Sequence, residues 1–400
     1  MTSRASNPPL AGITAYTLTS ALGVGNAAAL EALRAERGAL RQRALRGGGS
    51  SWMGAVEPID EPVPAVLRQF DCRATRIMER AIVQDDFLLR VAQARERYGA
   101  HRIGCFMGTI TAALGAIEKC YRDNNPSAGD LGPDDRLDVF LQLHSMTDYC
   151  QQKLEISGPA ATISNACSSS AKVFCIAQRY IDAGLCDAAV VGGIDCLNET
   201  FIYGFRSLGL LSANPCRPWD RRRNGLSLGE AAGFALLERS PAQADDIALL
   251  GYGESVDGYH MTAPHPEGMG AESAMRNALR SAGLAAKDID YINLHGTGTP
   301  ANDASEDAAV LSVFGDETPC SSTKGWTGHT QGAAGVTEAI LSMLCIKHGL
   351  IPAMMNCAER DPKLRAGIVL SNTSCAVTRV LSNSFGFAGN NCSLIFGAAS

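Results

Sequence analysis

The sequence predicts an α/β fold with largely buried sheets. Short apolar runs of strand length alternate with longer helix-like segments along most of the chain. The 41 glycines are spread throughout and do not gather in one tract, which suits tight turns and close packing better than a flexible linker.

The elements follow in order. Residues 27–37 read as a first helix. Residues 171–183 read as another, entered through the polar run Ser168-Ser169-Ser170. Ala188-Ala189-Val190-Val191-Gly192-Gly193 reads as a buried strand ending in a glycine turn. Residues 234–237 and 247–253 read the same way, and residues 272–282 as a helix. Tyr291-Ile292-Asn293-Leu294 is a strand that runs straight into His295, and residues 335–348 close the series as a helix. Two halves are expected, residues 1–250 and residues 251–400, although no literal repeat is visible.

Composition bounds the function. The chain has 400 residues, enough for a large core and more than one domain. Hydrophobic content of 46% and charged content of 19% describe an ordinary packed protein. A net charge of -6 does not favour nucleic acid. The fourteen cysteines lack a disulfide framework and no secretory signal is visible, so a reduced, cytoplasmic protein is expected. The N-terminus, Met1 to Pro9, is a polar tail, and no apolar stretch approaches the ~20 residues of a membrane span.

Chemistry concentrates in four residues. Cys167 lies in Asn165-Ala166-Cys167-Ser168-Ser169-Ser170, before a predicted helix. A thiol of reference pKa ~8.5 is mostly protonated at neutral pH, and a helix N-terminus is expected to lower that value. His295 opens His295-Gly296-Thr297-Gly298-Thr299-Pro300, and His329 closes Lys324-Gly325-Trp326-Thr327-Gly328-His329. A lone cysteine or histidine is by default structural. A thiol with two imidazoles and an ammonium, each in a Gly/Ser/Thr-rich setting, points instead to acyl transfer through a thioester.

That set, in that order, resembles the β-ketoacyl-acyl carrier protein synthases, and the likeness extends over nearly the whole chain. The resemblance implies a thiolase fold: two pseudo-repeated α/β halves in five α-β-α-β-α layers, with the site between them. It implies a decarboxylative Claisen condensation of malonyl-acyl carrier protein with a chain held on Cys167. His295 and His329 then stabilise the enolate, and Lys324 pairs with Glu338 and orders the site. Thr297 and Thr299 match threonines that bind the phosphopantetheine arm. Asn383-Ser384-Phe385-Gly386-Phe387-Ala388-Gly389 resembles the loop whose Phe387 N–H completes an oxyanion hole with the Cys167 N–H and whose ring gates the acyl pocket. Phe385 reads as core. Residues 255–266 resemble the partner gating loop, and Arg73 and Arg76 match positions that touch the acyl carrier protein. A homodimer, or a heterodimer with a chain-length-factor-like ketosynthase, is expected. No metal or organic cofactor is implied beyond carrier-borne phosphopantetheine; His260 and His265 lack a ligand spacing. Asp220 to Gly225 matches a structural signature, its arginine triplet reading as a solvated turn.

Departures from the fatty-acid enzymes narrow the subfamily. Ala388 replaces a gate-loop glycine, Asn390-Asn391 the usual Thr-Asn, Asn302 a common glycine and Asn224 an aspartate. Asp148 to Lys153, with Tyr291 to His295, is similar to the ketosynthases of bacterial aryl polyene clusters, which suggests an aryl-polyenoyl chain. General fatty-acid elongation and a non-catalytic chain-length factor are the competing readings. A thiolase needs a second cysteine in a glycine setting, which Cys392 lacks. A starter-type enzyme needs Cys-His-Asn. Gly23-Val24-Gly25 lacks the rest of a nucleotide-binding fingerprint.

Overall fold

The computed structural model describes residues 11–123, 136–239 and 247–398. The polar tail expected at residues 1–9 lies outside the described residues. The principal strands are β1 (Gly12–Ser20), β2 (Ile103–Gly108), β3 (Ala160–Ile163), β4 (Ala188–Asp195) and β5 (Ala231–Glu238), then β6 (Ile247–Val256), β7 (Tyr291–Asn293), β8 (Cys320–Ser321), β9 (Arg379–Gly386) and β10 (Asn390–Ala398). They join in an eleven-stranded sheet in the order β8-β7-β9-β10-β6-β1-β5-β4-β2-β3, with Gly23–Val24 beside β1 off this path.

The order holds a repeat. β1-β5-β4-β2-β3 and β6-β10-β9-β7-β8 are the same arrangement. In the first, β5 runs antiparallel to β1 and to β4, and β2 runs parallel to β4 and to β3. In the second, β10 runs antiparallel to β6 and to β9, and β7 runs parallel to β9 and to β8. The units meet where β1 pairs with β6 through Gly12↔Ala248 and Ile13↔Ile247. The pseudo-repeat implied by the resemblance is therefore present in the pairing.

The helices that matter for the site are α1 (Arg73–Ile82), α2 (Ser169–Asp182), α3 (Glu199–Ser207), α4 (Pro300–Phe314) and α5 (Ala334–His348). α2 follows β3 and α5 follows β8, the same place in each repeat. α5 is buried all round from Ala334 through Cys345, as a helix covered on every side requires. Together α2 and α5 form the middle layer. Ala189 and Val191 of β4 face it with Leu394 and Phe396 of β10, while Val190 and Ile194 face the outer layer with α1. Ile395 faces the other outer layer with Ala309 and Val310 of α4. This alternation is the period of two of a strand covered on both faces.

The two middle helices touch at their starts. A Cβ on Gly335 would lie 2.3 Å from the Ala171 nitrogen, and Ser170 Oγ accepts the Val336 N–H at 2.9 Å. The predicted helices appear at Gly25–Arg34, Ser169–Asp182, Met269–Ala282 and Ala334–His348, close to their expected ends. All cysteines except Cys357 and Cys375 are buried, as small core residues should be.

Candidate active site

Cys167 stands on the turn between β3 and α2, 6% exposed. Ala166 before it has φ +49°, a left-handed conformation that a residue with a Cβ resists. The serines hold that turn. Ser168 Oγ donates to Asn165 O at 2.9 Å, Ser169 Oγ donates to Ala166 O at 2.6 Å, and Ser169 Oγ accepts the Asn165 N–H at 2.8 Å. The run read as a polar helix start therefore also shapes the turn that carries Cys167.

His329 comes from the loop before α5. Its Nε2 is 3.0 Å from Cys167 Sγ, and its Nδ1 accepts the Gln331 N–H at 3.2 Å. His295 follows β7. Glu306 of α4 accepts the N–H groups of His295 and Gly296 at 2.7 and 2.8 Å and so pins that turn. Lys324 Nζ lies 3.1 Å from His295 Nδ1 and is ion-paired with Glu338 of α5. An ammonium can only donate, so His295 Nδ1 accepts. Both neutral rings thus carry their proton on Nε2. They stand edge-on, with centroids 5.3 Å apart and planes at 86°.

Cys167, His295 and His329 each bring one polar atom within 4.8 Å of the others, and they form the candidate metal-ligand set among the described residues. The positive charge of Lys324 beside His295 works against a further cation there.

Burial dominates the electrostatics. It pushes the Cys167 thiol up to about 12, against the opposing pull of Lys324 and the Phe387 N–H. The expected net lowering by the helix start is therefore corrected: a fully enclosed sulfur loses more by desolvation than these charges restore. Burial, with Lys324 second, holds His329 well below its ordinary value; His295 is lowered likewise, with His329 adding a little. Burial raises Glu338 and Glu306 to about 7 and Asp303 to about 6.

A cavity of about 70 Å³ opens on the cluster, lined by Cys167, His295, His329, Thr297, Thr299 and Phe387 among others. Thr297 and Thr299 hydroxyls are 2.9 Å apart, and Thr299 also caps α4 through the Asn302 N–H. The Phe387 ring packs on Phe205 of α3 with centroids 5.7 Å apart. Phe385, read as core, also lines the cavity, with its ring 6.0 Å from that of His295. Nothing local separates a core phenylalanine from one that borders a site.

The loop of Phe385 to Gly389, with Asn391 after it, is hydrogen-bonded to residues 255–266. Ala388 N–H donates to Met261 O at 2.7 Å, Asp257 N–H to Gly389 O at 2.9 Å, and Asn391 Nδ2 to Asp257 Oδ1 at 2.7 Å. Ala388 sits at φ +59°. His260 and His265 stay outside the cluster, and the His265 ring packs on Tyr259.

Arg73 and Arg76 border a separate cleft of about 1300 Å³. Arg73 is forked onto Glu230 and Arg76 onto Asp71. In the basic triplet, Arg221 and Arg222 are exposed, but Arg223 turns inward to Asp361 at 2.7 Å and Asp303 at 3.4 Å, which corrects the solvated-turn reading. Asp195 was missed altogether. It accepts from Thr109, Ile110, Thr111 and Gly332 and so ties the loop after β2 to the loop after His329. No local signal marks a partner 137 residues away.

The chain is similar to known proteins along most of its length. Residues 61–242 match the model of the β-ketoacyl synthase N-terminal domain, and residues 247–358 that of the C-terminal domain. The chain is 35% identical to nodulation protein E of Rhizobium meliloti over 311 residues, 74% of this chain and 76% of that one. It is 34% identical to 3-oxoacyl-[acyl-carrier-protein] synthase 2 of Staphylococcus aureus over 316 residues, 74% and 77% of the two chains. Among solved structures it is similar to the ketosynthase ApeO in complex with its chain length factor ApeC from Xenorhabdus doucetiae, with TM-score 0.91, 38% identity and 98% of each chain covered.

Proposed function

The chain belongs to the β-ketoacyl synthase family, an acyl-transferring condensing enzyme, and from that premise we propose how its residues divide the reaction. The observation that carries the proposal is the convergence of Cys167 Sγ with two imidazoles whose Nε2–H groups are the protons left to give.

In the first half-reaction the Cys167 sulfur attacks the acyl thioester carbonyl. The backbone N–H groups of Cys167 and Phe387 hold the tetrahedral oxyanion, the carbon–sulfur bond to the carrier breaks, and the carrier thiolate leaves with the proton given up by the Cys167 thiol. In the second, the malonyl thioester carbonyl accepts hydrogen bonds from His295 and His329. Its carboxylate departs as carbon dioxide, and the electron pair becomes an enolate held by the same two donors. The enolate carbon then attacks the acyl-Cys167 carbon, the carbon–carbon bond forms, and the thiolate is released. Lys324 and Glu338 keep His295 in the donating tautomer. Thr297 and Thr299 line the cavity and bind the phosphopantetheine arm. The acyl carrier protein is the substrate carrier, and this scheme calls for no resident metal or organic cofactor.

The acyl chain is aryl-polyenoyl in this reading, and the assembly is a homodimer or a heterodimer with a chain-length-factor-like subunit. The similarity to a ketosynthase solved with its chain length factor supports the heterodimer, and the resemblance of Asp148 to Lys153 and Tyr291 to His295 supports the chain. General fatty-acid elongation is the alternative. A cytoplasmic setting fits fourteen cysteines that form no disulfide among the described residues. Among the described residues no helix is long and apolar enough to cross a membrane.

The test is intact mass after offering an aryl-enoyl carrier thioester and, in parallel, a saturated medium-chain one. Aryl-enoyl loading that vanishes in Cys167→Ala is expected. Loading by the saturated chain alone moves the enzyme to fatty-acid elongation. Loading that survives Cys167→Ala removes the nucleophile.

A further inference from the structure

We propose that Arg73 is a positioning residue for His329, acting through Glu230, and not a contact for the carrier protein. The inference rests on the ketosynthase reading, because it concerns the place of His329 in that reaction.

The backbone of His329 is held by a strand only two residues long, Leu228–Gly229. The His329 N–H donates to Ser227 O at 2.7 Å, and its carbonyl accepts the Gly229 N–H at 2.9 Å. That strand pairs in turn with the end of Ser50–Gly54, through Met53↔Leu228 and Gly54↔Gly229. So short a ladder has little stability of its own.

Glu230 follows it directly, with its side chain 1% exposed. Its carboxylate accepts the Val56 and Leu197 N–H groups, each at 3.0 Å. Both oxygens also take the Arg73 fork, Nε at 2.8 Å and Nη2 at 2.7 Å, and the same Nη2 donates to Val56 O at 2.8 Å. One guanidinium therefore ties α1, the segment after Gly54, the entry to α3 and the strand beneath His329.

The packing between Glu230 and His329 leaves no slack. A Cβ on Gly54 would lie 1.9 Å from Thr327 O, and one on Gly229 would lie 2.3 Å from the same oxygen. A second tie runs alongside, where Gln331 Nε2 donates to Cys196 O at 3.2 Å. Removing Arg73 leaves a buried carboxylate without its countercharge, which must then bind a proton or move toward water. Movement of Glu230 carries the strand with it, and His329 with the strand.

The experiment uses a readout that a carrier contact does not touch. Cys167 is alkylated with iodoacetamide across the neutral to alkaline range in the full-length wild type, Arg73→Met and Arg73→Lys. The Cys167 peptide is followed by mass spectrometry. His329 Nε2, at 3.0 Å from Sγ, stabilises the thiolate, so displacing it slows alkylation. Arg73→Met is expected to alkylate about tenfold more slowly at neutral pH, an upward shift of about one unit. Arg73→Lys keeps the charge but loses the fork, so it should fold and shift less. Profiles that superpose on wild type overturn the proposal. Superposed profiles with a raised KM for carrier-borne malonyl alone assign Arg73 to the carrier, and superposed profiles with only a lowered Tm make it a general brace. Alkylation needs no thioester, so the result stands apart from the acyl-loading test of the ketosynthase reading.

Discussion

Two imidazoles whose Nδ1 atoms are occupied have one proton left to give, and it lies on Nε2. Burial and Lys324 hold both rings below their ordinary value of 6.5. In a labelled-histidine NMR titration both signals should therefore keep the neutral, Nε2-protonated pattern as pH falls through 6.5; an imidazolium signal there contradicts the assignment. The linkage has a sign. Below 6.5 the unfolded chain binds protons that these rings refuse, so their contribution to stability falls with pH. Glu338 and Glu306, raised to about 7, act oppositely and lose stability as pH climbs from 4.5 toward 7. Ala388 gives a second prediction. Its φ of +59° costs a Cβ-bearing residue about 1–2 kcal/mol, partly offset by the chain entropy that glycine restores. Ala388→Gly should stabilise the fold by up to about 1 kcal/mol, read as a raised Tm; a lowered Tm shows that the methyl packs usefully. At this scale Cys167, His295, His329 and Lys324 could be picked out as candidates from sequence because each stands in a run of small, polar residues. Arg223 could not, since it is defined by partners far away in the chain.

Cys167 and the Lys324–His329 loop occupy equivalent connections, β3 to α2 and β8 to α5. The repeat places both helix starts at the centre of the molecule, so the separation of those helices sets the separation of thiol and imidazole. Gly335 fixes it, because a methyl there would overlap the Ala171 backbone. Gly335→Ala should cost about 3 kcal/mol as an overpacked contact between helices. It should also slow Cys167 acylation in the protein that remains folded. Denaturant midpoints with acyl-loading rates check both, and an unchanged midpoint denies the close approach. α2 and α5 were legible here because their apolar runs were long. The short strand Leu228–Gly229 was not, because two residues carry no period.

The two halves share one of their core layers. The middle cluster joins Val173, Phe174 and Val191 of the first unit to Val336, Ile340, Leu394 and Phe396 of the second. Residues 1–239 expressed alone should therefore fail to give a cooperative melt, exposing the α2 face that α5 covers; a sharp transition would show an independent domain. The pattern of strands and helices, the buried cysteines and the choice of four candidate site residues follow from sequence alone, because spacing and side-chain type decide them locally. The tautomers of the two histidines, the upward push on the Cys167 thiol, the inward turn of Arg73 and the tie made by Asp195 were decided only by the tertiary structure. Each depends on burial or on a partner far away in the chain, and desolvation and hydrogen-bond geometry exist only once the two repeats are packed together.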